Sequence, residues 1–278
     1  MSGVLYIVAT PIGNLQDITA RGQAILAQVD AIACEDTRHS RRLLDAYGID
    51  KPLIALHQHN EHSASEMLLG RLRAGENIAL VSDAGTPLIS DPGQWLTRVA
   101  LEQEVPVVPI PGVSSVMTAL SVSGLPADQF VFAGFIPSKA GERTRFIETH
   151  GKHPMTTVFF ETPHRIAASI AALAEQLDGS RMIVFARELT KQFEQIARMP
   201  LAEAADWLAA DSNRSRGEFV LLLEGQSAAV SDEAQWQQMA IDLVHAGVSS
   251  KDCAALVAKY TGAKKKLVYQ YIVDTEKS

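Results

Sequence analysis

Four sets of loop residues hold most of the side chains able to do chemistry. The longest is Ser82-Asp83-Ala84-Gly85-Thr86-Pro87-Leu88-Ile89-Ser90-Asp91-Pro92-Gly93. Its glycines and prolines stiffen the turn and let backbone groups approach a ligand closely. Carboxylates and backbone carbonyls suit a cationic sulfonium, an amino group and a ribose, whereas a phosphate calls for donors, so this is not a phosphate-binding loop. Leu88 and Ile89 interrupt the polar run and are expected to be exposed and to pack on an adenine. A second loop, Thr10-Pro11-Ile12-Gly13-Asn14-Leu15-Gln16-Asp17-Ile18-Thr19, places Gly13 where a backbone can pass close to a neighbour, and offers Asp17 or Thr19 as a helix cap. It could equally be a plain capped turn. It does not carry the G-x-G-x-x-G spacing of a dinucleotide oxidoreductase. In the third loop, Pro109-Ile110-Pro111-Gly112-Val113-Ser114-Ser115, helix capping alone would explain Ser114.

The fourth set is dispersed over Phe160-Glu161-Thr162-Pro163-His164-Arg165, Ala186-Arg187-Glu188-Leu189-Thr190-Lys191 and Arg216-Gly217-Glu218-Phe219. Charged residues massed at strand ends form either a substrate surface or structural ion pairs, and the residues alone leave both open. His57-Gln58-His59-Asn60-Glu61-His62 has no second ligand group at zinc-site spacing, so a polar loop and no metal is expected. Cys34, inside an apolar run, reads as a small core residue.

The elements that must position these loops follow from hydrophobic pattern. Strands are expected at 5–9, 31–34, 53–56, 78–81 and 105–110, separated by helices at 19–28, 37–47, 63–73, 95–102 and 114–122. Strands apolar throughout and alternating with helices imply a parallel sheet covered on both faces, with ligands at the strand C-termini. After the Gly124-Leu125-Pro126 break, strands at 130–133, 157–160, 182–186 and 219–223 and a helix at 165–177 indicate a mixed α+β domain. Helices at 232–246, 250–260 and 263–273 then form a tail, with Ser249 or Ser250 as a cap and Gly262 as a terminator. The expected division is an α/β domain over residues 1–122, an α+β domain over 123–227 completing a cleft, and a helical tail over 228–278.

The chain has 278 residues, 47% of them hydrophobic, and a net charge of −7. That charge argues against a general nucleic-acid binder but not against local basic patches. Residues 251–278 carry six lysines (251, 259, 264, 265, 266 and 277) against three acids (252, 274 and 276). Arg38, Arg41 and Arg42 with His39 form a second patch, and Lys139, Arg143, Arg145 and Lys152 a third. No apolar run is long enough to span a bilayer, and no basic region followed by an apolar one marks a signal peptide. With two cysteines far apart, a cytoplasmic, reducing setting and no membrane contact are expected.

Six motifs in order, Thr10 to Leu15, Glu35-Asp36-Thr37-Arg38, Ser82 to Pro87, Gly134-Phe135-Ile136-Pro137, Phe160 to Arg165 and Arg187 to Lys191, resemble the bacterial 16S ribosomal RNA (cytidine) 2′-O-methyltransferases of the tetrapyrrole-methylase-like class. The resemblance covers nearly all of residues 1–225. It implies a two-domain cleft holding S-adenosylmethionine, a homodimer, and 16S RNA within the small ribosomal subunit as substrate. It implies cofactor contacts from Pro11, Ile12, Ser82, Asp83, Ala84, Gly85, Thr86, Pro87, Leu88, Ile89, Ser114, Ser115, Phe160, Ala186 and Arg187. The family has a His-Asn-Glu segment like the one after His59, which implies a polar loop facing substrate. Tetrapyrrole methylases typically carry Gly-Pro-Gly-Asp and Gly-Asp-Pro loops, and this chain has Pro11-Ile12-Gly13-Asn14 and Gly85-Thr86-Pro87 instead. That departure separates it from enzymes with corrinoid or porphyrin substrates.

Methyl transfer from a sulfonium is an in-line displacement in which the protein chiefly aligns the acceptor. A ribose hydroxyl is a poor nucleophile near neutrality, so a base or cation should assist. Lys191, Arg187 or Arg38 is the expected cation, oriented by Glu35, Asp36 or Glu188; the same cations could instead grip phosphates. Two other readings remain: a tetrapyrrole methyltransferase, with a deep apolar cleft, and a non-catalytic RNA-binding assembly factor, with salt-sensitive RNA affinity and no transfer. The tail lysines are either an RNA grip or a solvated face.

Overall fold

The structure, a computed structural model, describes residues 2–226 and 233–275. The expected helix start at Asp232, the boundary at 227/228, and Glu276 and Lys277 of the tail lie outside the described residues.

The first half is a parallel sheet of β1 (Leu5–Val8), β2 (Ala31–Cys34), β3 (Leu53–Ala55), β4 (Ile78–Leu80) and β5 (Val107–Ile110), in the order β3-β2-β4-β1-β5. Alternate residues of each strand enter opposite cores. Leu5, Ala33, Ile78 and Leu80 join Leu68, Leu72, Leu96 and Ala100 from α3 (Glu61–Arg73) and α4 (Gln94–Glu102). Val8, Ile32, Cys34 and Ala79 join Leu26 and Leu44 from α1 (Ala20–Gln28) and α2 (Thr37–Ala46). Burial on both faces is why the strands are apolar at every position. Caps set the helix starts: Thr19 accepts from the Gly22 amide, and Asp36 accepts from the Arg38 and His39 amides.

The second sheet contains β6 (Phe130–Phe135), β7 (Thr156–Glu161), β8 (Met182–Arg187), β9 (Gln195–Pro200) and β10 (Phe219–Leu223), in the order β6-β7-β10-β8-β9. Only β6 and β7 run parallel; the other pairs are antiparallel. One face, with Phe159, Phe185 and Leu221, packs on α6 (Ala140–His150), α7 (Ile166–Gln176) and α8 (Ala204–Ala209). The other, with Val158, Val184, Ala186 and Val220, packs on Val116, Ala119 and Leu120 of α5 (Ser115–Ser123). This helix follows β5 in sequence yet is covered by the second sheet, so a cut at 122/123 falls in its last turn, one residue before its left-handed Gly124 cap.

Three helices, α9 (Glu233–His245), α10 (Ser250–Thr261) and α11 (Lys265–Thr275), form the tail around a separate core of Trp236, Ala240, Cys253, Val257, Val268 and Ile272. Ser249 caps α10 and Gly262 ends it in a left-handed conformation. The helix α6, the strand β9 and the helix α8 were not anticipated. Only Ile147 of α6 is buried, and β9 is an edge strand paired on one side alone, so neither carries a strong apolar period.

Leu221 sits at the middle of the central strand, between Phe159 and Phe185. Leu221→Ala should cost about 3 kcal/mol of stability through lost burial and a cavity, read as a lower urea midpoint at unchanged slope.

Candidate active site at the cleft between the two sheets

The loops after β1, β4 and β5 meet at one end of the first sheet. Thr10 and Gly85 exchange backbone hydrogen bonds of 2.9 and 3.0 Å in an isolated bridge. The buried Thr10 hydroxyl donates to the Ser82 carbonyl at 3.1 Å. Thr86 donates through Oγ1 to the Val113 carbonyl at 2.9 Å, joining the third loop. Gly85 has φ +83°, a left-handed conformation, and a Cβ there would lie 3.3 Å from Ile12 Cγ2. Gly112 must also be small, since a Cβ would come 2.8 Å from that of Ala9. The far end of the loop is held by Glu61, whose Oε1 accepts from the Gly93 amide at 2.8 Å and the Trp95 amide at 3.2 Å.

A cleft of about 290 Å³ opens between these loops and the second sheet. Ile12 lines it from the first loop, and Ala84, Gly85, Thr86 and Ile89 from the second. Ser114 and Ser115 contribute from the start of α5, where Ser114 also accepts from the Met117 amide. Phe160 and Ala186 line the opposite wall. Pro11, Ser82, Asp83, Pro87, Leu88 and Arg187, also expected at the cofactor, are not among the lining residues. Leu88 departs from expectation: with φ +73° it turns inward and packs on the first sheet's core, leaving Ile89 as the exposed apolar residue of the pair.

Among the described residues, the cleft lining holds three carboxylates, Asp91, Glu161 and Glu218, and no lysine, arginine or histidine. Apolar walls, two serines and acidic groups fit S-adenosylmethionine, with its flat adenine, ribose and positive sulfonium. They do not fit a phosphate-bearing cofactor.

Sequence reasoning passed over Asp91 as a site residue, although the loop containing it was singled out. It lines the cleft. Burial first, and the negative charge of Glu35 next, push its carboxyl up to about 6, against a lowering hydrogen bond from Ser82. Glu35 is itself raised, by burial and then by Asp83, while His57 opposes the rise.

The expected catalytic cations are not among the residues lining the cleft, although Lys191 pairs with one that is. Arg38 is almost fully exposed and pairs with Asp36 at 3.3 Å. Arg187 is buried, donating through Nε to Gln195 Oε1 at 3.3 Å and through Nη1 to the Arg216 carbonyl at 3.1 Å. Lys191 Nζ lies 3.0 Å from Glu188 Oε1 and 2.9 Å from Glu218 Oε2. Burial alone would lower its ammonium, but Glu218 and Glu188 outweigh that and hold it above its ordinary value. Its stem fills the space over Gly13, where a Cβ would lie 2.4 Å from Lys191 Cγ. This pair therefore buttresses the first loop from the second sheet.

The profile of the tetrapyrrole (corrin/porphyrin) methylases matches residues 4–205. "Ribosomal RNA small subunit methyltransferase I" of Pseudomonas aeruginosa is 46% identical over 99% of this chain and 98% of its own. The protein of that name from Pasteurella multocida is 47% identical over 98% and 97%. Among solved structures, diphthine synthase superposes with TM-score 0.64 at 15% identity over 80% of this chain and 90% of its own. Thermus thermophilus uroporphyrin-III C-methyltransferase, complexed with S-adenyl homocysteine, gives 0.57 at 20% over 82% and 100%. These two establish the likeness of fold.

Thr10→Val keeps the shape and removes the hydroxyl that holds Ser82. It should cost about 1–2 kcal/mol for the orphaned buried carbonyl and weaken S-adenosylmethionine binding, measured by calorimetry beside a thermal melt.

Proposed function

Because the chain belongs to the tetrapyrrole (corrin/porphyrin) methylases and, within them, to the small-subunit ribosomal RNA methyltransferase I proteins, we propose that it methylates the ribose 2′-hydroxyl of a cytidine in 16S ribosomal RNA, using S-adenosylmethionine. The observation that carries this reading is the extent of the match. The family profile ends at residue 205, whereas relatives named for the small ribosomal subunit align over 98–99% of the chain, tail included. The 2′-hydroxyl and the cytidine rest on the motif resemblance.

S-adenosylmethionine, when bound, supplies a methyl group already activated on sulfur. The chain's own residues then have to orient the ligand, exclude water and take up the acceptor's proton. Ile12, Ile89 and Phe160 offer apolar surface for the adenine; Ser114, Ser115 and the backbone around Gly85 offer polar partners for the ribose and amino-acid portion. Asp91 is the group we assign to the proton. It faces the cleft, and at about 6 its carboxyl is ionised at neutral pH yet basic enough to accept from a hydroxyl. Glu188, Lys191 and Arg187 position the loops.

Several surfaces support the wider proposal. Lys259, Lys264, Lys265 and Lys266 are exposed on the tail and give the RNA backbone a local positive contact on an acidic protein. Met117 and Val122 of α5 and Phe193 and Ile196 near the β9 edge are exposed, and α5 packs beside β9. This edge is the surface we assign to a second copy in a homodimer. Among the described residues no helix is long and apolar enough to cross a membrane. The cytoplasmic setting follows from the proposed ribosomal substrate.

Incubation with tritiated S-adenosylmethionine should label small ribosomal subunits, and nucleoside analysis should return 2′-O-methylcytidine. Label on the base, or none in RNA with cofactor binding intact, overturns the assignment.

Asp91→Asn should lower kcat, measured at saturating S-adenosylmethionine, by about a hundredfold or more. In the wild type kcat/KM should climb as pH rises and level off above about 6. Stability should move the other way. The fold holds this carboxyl above its ordinary 3.8, so the charged form costs stability as pH rises from there to about 6. Asp91→Asn should therefore melt above the wild type at pH 7.5, with the difference vanishing below pH 4.

A further inference from the structure

The end of β6 is irregular, and the irregularity lets both Ala133 and Ile136 face one core while Phe135 between them does not. The strand's register against β7 shifts between Phe132 and Gly134, and Gly134 has φ +74°. A bulge of this kind redirects the side chains that follow it. The next residue, Phe135, is 47% exposed although it lines the cleft. Its ring meets Phe160 edge-on at 5.3 Å, and Phe160 meets Phe132 at 4.8 Å, so the exposed ring is braced from behind.

A cation stands over the same ring. The Arg165 guanidinium lies 5.8 Å from the Phe135 centroid. Arg165 Nε is held by Glu161 Oε1 and by the Thr162 hydroxyl, each at 3.0 Å. Glu161 has a fully buried carboxylate, which also accepts from the Thr162 amide at 2.7 Å and from the Ser169 hydroxyl. A carboxylate buried at such desolvation cost, with every neighbour a donor, fixes the guanidinium in one place. Phe135 is the most exposed member of this assembly, and the Arg165 side chain, a donor group, is 28% exposed beside it.

The geometry points to Phe135 and Arg165 as the binding site for the base of the acceptor nucleotide, turned out of its stack and laid on the Phe135 ring. This inference rests on the RNA-methylating function proposed above and names the recognition element within it. An aromatic face takes any base by stacking, and a guanidinium, which only donates, selects an edge made of acceptors. Cytosine presents two adjacent acceptors, O2 and N3, on its pairing edge, which becomes available once the base leaves its pair. The cofactor's adenine is the competing occupant of the ring. Glu161 acts as a positioning residue through Arg165.

The test is steady-state methylation of small ribosomal subunits by the full-length protein, with S-adenosylmethionine affinity measured separately by calorimetry. Phe135→Ala should raise the KM for subunits by about ten- to a hundredfold with cofactor affinity unchanged, and Phe135→Tyr should restore it. Arg165→Met should act in the same direction, and Arg165→Lys, which lacks the planar fork, should rescue it poorly. If Phe135→Ala weakens cofactor binding, the ring belongs to the adenine and the inference falls. If neither constant moves, it falls as well. Failure of the wild type to label RNA is a distinct result: it removes the proposed function first, and the base site with it.

Discussion

Two backbone hydrogen bonds between Thr10 and Gly85 hold together what the strand ends would otherwise leave as independent loops. In a parallel sheet each strand ends in its own turn, and nothing in the ladder fixes one turn against the next. Here the bridge, the Thr10 hydroxyl on Ser82 and the Thr86 hydroxyl on Val113 bind the loops after β1, β4 and β5 into one surface. The left-handed Gly85 lets Ile12 lie close against that surface. Every ligand-binding residue assigned to the first sheet's loops hangs from this small hydrogen-bonded frame, whose atoms are mostly backbone. That is why small and turn-forming residues, glycine, serine, threonine and proline, make up about half of the loops.

Strain is concentrated around the same frame. Of the five non-glycine residues with positive φ among the described residues, Leu88 and Ser90 lie in the β4 loop, and Glu188 and Thr190 lie opposite them after β8. Such conformations persist where surrounding structure over-determines them. The surroundings can be named: Leu88 is anchored in the first core, and Glu188 accepts hydrogen bonds from Lys191 and from the Glu218 amide. The charged motif after β8, ambiguous as sequence between substrate surface and ion pairs, is in this structure an ion-paired buttress whose lysine stem leans on Gly13.

Legibility followed burial. The first sheet was readable because each strand is buried on both faces and therefore apolar throughout, and the tail because its helices carry clean caps at Ser249 and Gly262. The helix at 140–150, which buries one side chain, and the edge strand at 195–200 left no periodic trace. In the site, loop membership was readable and orientation was not. Leu88 and Ile89 look equivalent in sequence, yet a positive φ sends one inward. Asp91 stood within a loop already singled out, but its elevated carboxyl depends on Glu35, far away in the chain. Phe135 lies in the Gly134-Phe135-Ile136-Pro137 motif, where its residue type alone does not distinguish a core ring from an exposed one. A glycine inside a strand pattern was the available signal for the bulge that exposes it.

The acid-lined cleft has a consequence for turnover. Donating a methyl group from a sulfonium removes a positive charge from the ligand, so the spent molecule, which must leave before the next cycle, is neutral at sulfur. Glu161 and Glu218 are already paired with Arg165 and Lys191, so Asp91 is the lining carboxylate left to attract the charged form, and it has less hold on the discharged one. The carboxylate that favours loading therefore favours exchange. A cleft furnished with arginines would grip both forms by their carboxylate end and be slower to let the used one go.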